Sequence, residues 1–202
     1  MGGTDYDRAL SMAGFMPSFG YGSHMKRSDL EMPIAPFWDL STWSSIHNLY
    51  EPKFINLLKS IRFEAQKPEL LERLIHLVSE RRCHSLLMEV EACKITLSDN
   101  ATALSNLAWL EKNLQITTSR KSFEHSAEPQ NQKLERTAMD CLKLAGIEAS
   151  QVDVIFFTGG TSLIPSARET IMRAIPTAQV VNGDRFGAVG LGLGIEAAKR
   201  YG

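Results

Sequence analysis

Residues 153–168 read DVIFFTGGTSLIPSAR, and the fold is decided here. Asp153 to Phe157 form a short β-branched and aromatic run with no breaker before Gly159, which is the pattern of a buried strand. Thr158, Gly159, Gly160, Thr161 and Ser162 make a tight turn of small residues. Pro165 sits in the first turn of a helix that runs to about Ala174, a position where its missing N–H costs nothing. A strand, a Gly-Gly turn and a helix bring backbone close to a ligand. The glycines remove the Cβ atoms that would hold a ligand off, and the helix start offers unpaired N–H groups. Taken alone, GGTS fits any strand-to-helix unit, so the rest of the chain has to decide.

Working outward, residues 178–182 read as a second short strand and residues 186–200 as a last helix. A βαβα order of this kind predicts parallel strands under helical cover. Gly187, Gly190, Gly192 and Gly194 in that last helix read as a surface for close helix packing. They lack the lysine that a phosphate loop would need. Upstream, Ser119 caps a helix that is interrupted near Pro129 and resumes through Leu144 to Gly146. Before it, ATALSNLAW and LQITTS, residues 101–109 and 114–119, read as two strands.

Residues 68–98 carry apolar positions at helical spacing, with Leu70, Leu71, Leu74, Ile75, Leu77 and Val78 followed by Leu86, Leu87, Val90, Cys93 and Leu97. They read as one long helix or two nearly collinear ones, ended at Asp99-Asn100. Glu51-Pro52 opens a helix to about Ala65, and Ser41 or Thr42 starts a short helical turn. Residues 16–40 hold Pro17, Pro33, Pro36, Gly20 and Gly22 and read mostly as loop. The aromatic residues Phe15, Phe19, Tyr21, Phe37 and Trp38 there point to a segment packed over a core rather than a solvated tail. Residues 4–15 read as a helix capped by Thr4 or Asp5 and ended by Gly14. The resulting architecture is an α/β subdomain built from residues 1–7 and 127–202, into which an α+β subdomain of residues 8–126 is inserted.

The 202 residues hold 22 basic and 23 acidic side chains, for a net charge of −1. A balance this even gives no general attraction to nucleic acid. No apolar run approaches the length of a membrane helix, and the start lacks a signal-peptide layout. Cys83, Cys93 and Cys141 form no CxxC pair, so reduced thiols in a cytoplasmic protein are the default. With His76 and His84 they give no tetrahedral ligand set. Serine-hydrolase and Cys-His spacings are absent from the sequence.

Four segments carry a resemblance: GGTDYD at 2–7, EACKITLS at 91–98, GGTSLIP at 159–165 and DRFGAVG at 184–190. In this order and spacing the chain resembles the second lobe of the actin-like, ribonuclease H-like ATPase domain of DnaK-type heat-shock chaperones. The Pro- and aromatic-rich stretch after residue 14 looks closest to the YegD-like chaperone homologues. The resemblance implies that Gly3, Glu91, Lys94, Ile95, Ser98, Gly159, Gly160, Thr161, Leu163 and Asp184 surround the adenosine half of ATP or ADP. Glu91, Lys94 and Ser98 lie at i, i+3 and i+7, one helix face, where a carboxylate and two donors suit ribose hydroxyls. Gly159, Gly160 and Thr161 would run along the α-phosphate, and Asp184 would close the adenine side while capping the last helix.

Two positions depart from the family pattern. Arginines commonly sandwich the adenine where this chain has Ile95 and Leu163, although YegD-like proteins also have an apolar residue at the first. The resemblance further implies that Mg²⁺ and the phosphate loops belong to a longer parent ATPase, whose N-terminal lobe would be the first partner of this segment. This chain alone would then not hydrolyse ATP. A co-chaperone or nucleotide-exchange partner would dock on the inserted subdomain. The alternatives are a non-catalytic protein-interaction module and a lobe of another actin-like kinase.

Overall fold

The computed structural model describes residues 2–27, 30–183 and 187–201. Among them the chain mixes helices with two small sheets, an α/β composition, and it divides into two compact units. One comprises residues 4–127 and the other residues 1–3 with 128–202.

The first unit opens on α1 (Gly3–Leu10). The sequence predicts that this helix ends at Gly14. Instead it continues through a π-helical turn at Ser11–Phe15 and a 3₁₀ turn at Met16–Phe19. Gly14 is kept inside the helical run because its bare Cα faces Thr118, where a Cβ would meet the Thr118 hydroxyl at 3.1 Å. Gly20 ends the run, with φ 112° and its N–H on the Pro17 carbonyl, while Tyr21 N–H reaches back to Met16. Those two bonds make a C-terminal cap that needs a left-handed residue, and glycine supplies it at least cost.

The stretch expected to be mostly loop therefore starts helical, and it later contains α2 (Ala35–Leu40). Its Phe15, Phe19 and Phe37 are buried, and Tyr21 packs on Phe37 with ring centroids 5.6 Å apart. The segment is core, as its aromatic content requires. Trp38 differs, standing half exposed under the Arg8 guanidinium at 4.9 Å.

Next come α3 (Ile46–Leu49), α4 (Pro52–Glu64), α5 (Pro68–Ser79) and α6 (Cys83–Asp99). The long helical stretch is thus two helices. Arg81 adopts a left-handed φ of 54°, Arg81 N–H bonds to Val78 and Arg82 N–H to Leu77. This is a helix-terminating cap formed without glycine, so its signal in the sequence is faint. Leu71, Leu74, Leu77 and Val78 of α5 and Leu86, Leu87, Val90, Cys93 and Leu97 of α6 are buried together with Leu10, Leu40, Ile46, Leu49 and Leu58.

An antiparallel hairpin follows, β1 (Thr102–Asn106) with β2 (Gln115–Ser119), registered Thr102 to Ser119 and Asn106 to Gln115. The first strand is shorter than the sequence suggests. Its alternation ends where Leu107–Asn113 turns, with Asn113 at φ 66°. Ser119 then caps α7 (Arg120–Ser126), its hydroxyl accepting from Ser122 N–H at 3.1 Å.

The second unit holds α8 (Glu128–Ala145), β3 (Val154–Phe157), α9 (Pro165–Ala174), β4 (Gln179–Asn182) and α10 (Ala188–Tyr201). β3 and β4 pair in parallel, Val154 with Gln179 and Phe157 with Asn182, as the βαβα order predicts. Helix α9 packs on α8. Expectation fails at α10. A Cβ at Gly190, Gly192 or Gly194 would meet nothing within 4 Å, so these glycines are not a packing surface here. Leu191, Leu193 and Ile195 are exposed with them. No helix among the described residues is long and apolar enough to cross a membrane.

Candidate functional site

The first unit contributes one face of α6. Leu86, Val90, Cys93 and Leu97 fill the core side, which leaves Glu91 and Ile95 outside with Lys94 and Ser98 partly covered. Glu91 is exposed, Ser98 is partly covered, and Ile95 presents 58% of its surface. The Ser98 hydroxyl donates to the Lys94 carbonyl at 3.2 Å, as hydroxyls one turn on commonly do. Arg120 closes the end of the helix, its Nε donating to the Leu97 carbonyl at 2.8 Å and its Nη2 to Ser98 at 3.2 Å. A cation there satisfies last-turn carbonyls and meets the negative end of the helix dipole.

Lys94 is held from beneath. Its Nζ lies 2.7 Å from Asp7 Oδ1 of α1, and the two side chains are only 12% and 6% exposed. The approach is that of a close ion pair rather than a well-directed hydrogen bond, since Oδ1 accepts none. Burial pushes the Asp7 carboxyl above its ordinary pKa. The Lys94 ammonium pulls it down, and the negative charge of Glu91 pushes it up further. Sequence reasoning missed Asp7. The available signal was an acid inside the apolar periodicity of α1, between the buried Tyr6 and Leu10. Gly3 opens the same helix, half buried, on the other side of the division between the units.

The second unit contributes the turn between β3 and α9. Gly159 adopts φ 80° and ψ 159°, followed by a 3₁₀ turn at Gly160–Leu163 and then by Pro165 at the helix start. The turn closes on itself. Ser162 N–H and Oγ both donate to the Gly159 carbonyl, at 3.1 and 2.7 Å, and Ile164 N–H donates to Thr161. A Cβ at Gly159 would meet nothing, so the backbone is open to approach from that side. Gly160 is exposed, Thr161 and Leu163 are partly covered. The Arg168 guanidinium stacks on Phe157 at 4.2 Å, which brings a positive charge beside the turn that the sequence reading did not single out. Asp184 lies outside the described residues.

Each unit has its own chemistry. Asp7, Glu91 and Lys94 together carry a charge of −1, which suits sugar hydroxyls and disfavours phosphate. The open Gly159–Gly160 backbone suits an anion or a carbonyl. Among the described residues no three His, Cys, Asp or Glu side chains converge as metal ligands. A separate groove on the first unit, lined by Glu69, Glu72, Arg73, His76, Leu110 and Glu111, contains none of the predicted residues.

Comparison with known proteins covers part of the chain. A family model described as Hsp70 protein matches residues 69–199. A chaperone protein DnaK of Guillardia theta is 29% identical over 128 residues, covering 59% of this chain and 20% of the relative. One from Mycoplasmoides gallisepticum is 28% identical over 126 residues, covering 57% of this chain and 21% of the relative. The matched part is thus about a fifth of the length of these relatives.

Proposed function

The chain belongs to the Hsp70 family, and on that premise we propose that it carries the adenosine side of an ATP- or ADP-binding clamp. The observation that carries the reading is the line of Glu91, Lys94 and Ser98 on α6, backed by the buried Asp7. In this reading the Glu91 carboxylate accepts from the ribose hydroxyls. The Lys94 ammonium has three donors and spends one direction on Asp7, so the others remain for the sugar. Ile95 offers an exposed apolar surface to the adenine ring.

On the second unit, Gly159, Gly160 and Thr161 offer backbone and a hydroxyl toward the α-phosphate. Leu163 takes the second adenine-facing position. Asp184 closes the adenine side, and Gly3 admits close approach of a sugar. The finer assignment is the second lobe of an actin-like ATPase domain, in the YegD-like branch, with residues 8–126 inserted into an α/β subdomain of 1–7 and 127–202. Mg²⁺, phosphate loops and the attacking water would come from the N-terminal lobe of the longer protein, so turnover is proposed for that protein and not for this segment. Closure of two lobes on the nucleotide would couple its state to a co-chaperone or exchange partner in the cytoplasm.

The test is calorimetric titration of this chain with ADP, adenosine and GDP. Weak binding of ADP and adenosine, with GDP weaker by about tenfold or more, supports the reading. Indifference between the bases, or chemical-shift changes confined to residues 15–40, would overturn it in favour of an interaction module. Hydrolysis of ATP that co-purifies with this chain and disappears in Glu91→Gln would overturn the assignment of catalysis to the longer protein.

A further inference from the structure

The sequence motif on α6 accounts for Glu91, Lys94 and Ser98 but not for a carboxylate buried under them. Asp7 comes from a different helix, α1, and is 4% exposed as a residue. A buried carboxylate costs several kcal/mol of desolvation unless a partner offsets it. Its Oδ1 has one close partner, the Lys94 ammonium at 2.7 Å. Isolated burial of an acid next to a site calls for a reason beyond stability, because an apolar residue at that position would pack at no electrostatic cost.

Geometry supplies the reason. A lysine on an exposed helix face has four rotatable bonds and samples many positions. Here the stem is drawn inward and the ammonium is fixed one helical turn from Glu91. From a fixed position, its remaining donors are available to a ligand that Glu91 and Ser98 of the same helix face would also meet. We infer that Asp7 is the positioning residue of the sugar-binding face, holding Lys94 where its free donors meet a ribose hydroxyl. This rests on the nucleotide reading above and adds to it a residue that need not touch the ligand. It also gives a specificity. Asp7 balances the ammonium, so the face selects a vicinal diol over a phosphate group, and a freed Lys94 would lose that selection.

The experiment compares ADP with 2′,3′-dideoxy-ADP in the full-length chain, by titration, for the unsubstituted protein and for Asp7→Asn, Lys94→Met and the double variant, with melting temperatures recorded. Asp7→Asn is expected to lower ADP affinity by about tenfold, the loss of the charge-assisted hydrogen bond from a displaced Lys94 to the ribose. Dideoxy-ADP affinity should stay within about twofold, and the effect on ADP should vanish in the Lys94→Met background. Should Asp7→Asn fail to fold, Asp7→Glu reads the same ratio, since it keeps the charge and changes only its reach.

The outcomes separate cleanly. If the unsubstituted chain binds neither nucleotide, or binds both alike, the ribose reading falls and the inference with it. If it discriminates and Asp7→Asn discriminates equally, only the role of Asp7 is overturned. Additive losses in the double variant also overturn it. A lower melting temperature with an unchanged ratio would make the ion pair structural and nothing more.

Discussion

A Cβ atom placed on Gly20 would lie 2.6 Å from Leu71 Cδ2, and Leu71 is fully buried. Gly22, two residues on, has a positive φ as well, 74°, but open space around it. The pair separates two costs that usually come together. A left-handed alanine costs about 1–2 kcal/mol at either site. Only Gly20→Ala adds overpacking, about 1–3 kcal/mol more. Urea denaturation should therefore show Gly20→Ala as clearly the worse variant. Equal losses would mean that Leu71 swings aside without penalty.

Asp7 makes stability depend on pH in a direction opposite to most carboxylates. Its folded-state pKa is raised, chiefly by burial. The folded form therefore binds a proton more readily than the unfolded chain. The stabilisation from that proton is fully present below the unfolded pKa, about 4, and is lost as pH rises through the folded value. Subtracting the Asp7→Asn melting curve isolates the contribution. The unsubstituted protein should lose ground against Asp7→Asn as pH rises above about 4 and through the raised folded value. A difference that moves the other way would show that attraction to Lys94 outweighs burial.

The three thiols should react unequally. Cys83 and Cys93 are buried, and burial pushes the Cys83 thiol up to about 11 and raises that of Cys93. Cys141 is exposed on α8. Because the thiolate is the nucleophile, brief alkylation of the native protein followed by mass mapping should find Cys141 modified and the other two spared. Early labelling of Cys93 would show that α6 opens on the timescale of the reagent.

Ile95 is 58% exposed, so Ile95→Arg need not bury a charge. If adenine lies against this position, the guanidinium should add about 0.5–2 kcal/mol of stacking to ADP binding, with the melting point nearly unchanged. Leu163→Arg should behave alike in affinity but cost more stability, since Leu163 is partly covered. Unchanged ADP binding in either variant would remove adenine from that position.

What the sequence made legible follows from where the physics is local. β3, the Gly-Gly turn, Pro165 at the start of α9 and the Ser119 cap each rest on residue types with strong short-range preferences, and each lies where it was read. β3 is not the buried strand expected, however, since Val154 and Phe156 are exposed and Ile155 alone of its residues is buried. Whether α5 and α6 were one helix or two stayed open in the sequence, because the break is made by Arg81 in a left-handed conformation that arginine rarely adopts. Gly14 misled for the opposite reason. A glycine inside a helix looks like a stop, yet this one makes room for Thr118, more than a hundred residues later in the chain. Asp7 was invisible as a site residue for the same cause: only tertiary structure brings it under Lys94.

The buried apolar side chains are distributed unevenly. Among the described residues, Ile155, Ile164, Ala167 and Ile175 are the buried apolar residues of 128–202, whereas every other one belongs to 4–127. Burial of apolar surface is the main force holding a fold together, so the two units have unequal reserves. Thermal or denaturant unfolding of this chain should then lack a single cooperative step. Amide exchange would register the difference residue by residue, with slow protons in α5 and α6 and fast ones around β3 and α9. The turn at Gly159–Gly160 would accordingly sit on the half of the chain that opens first, and a ligand held there would raise the lower of the two transitions while leaving the upper one where it was.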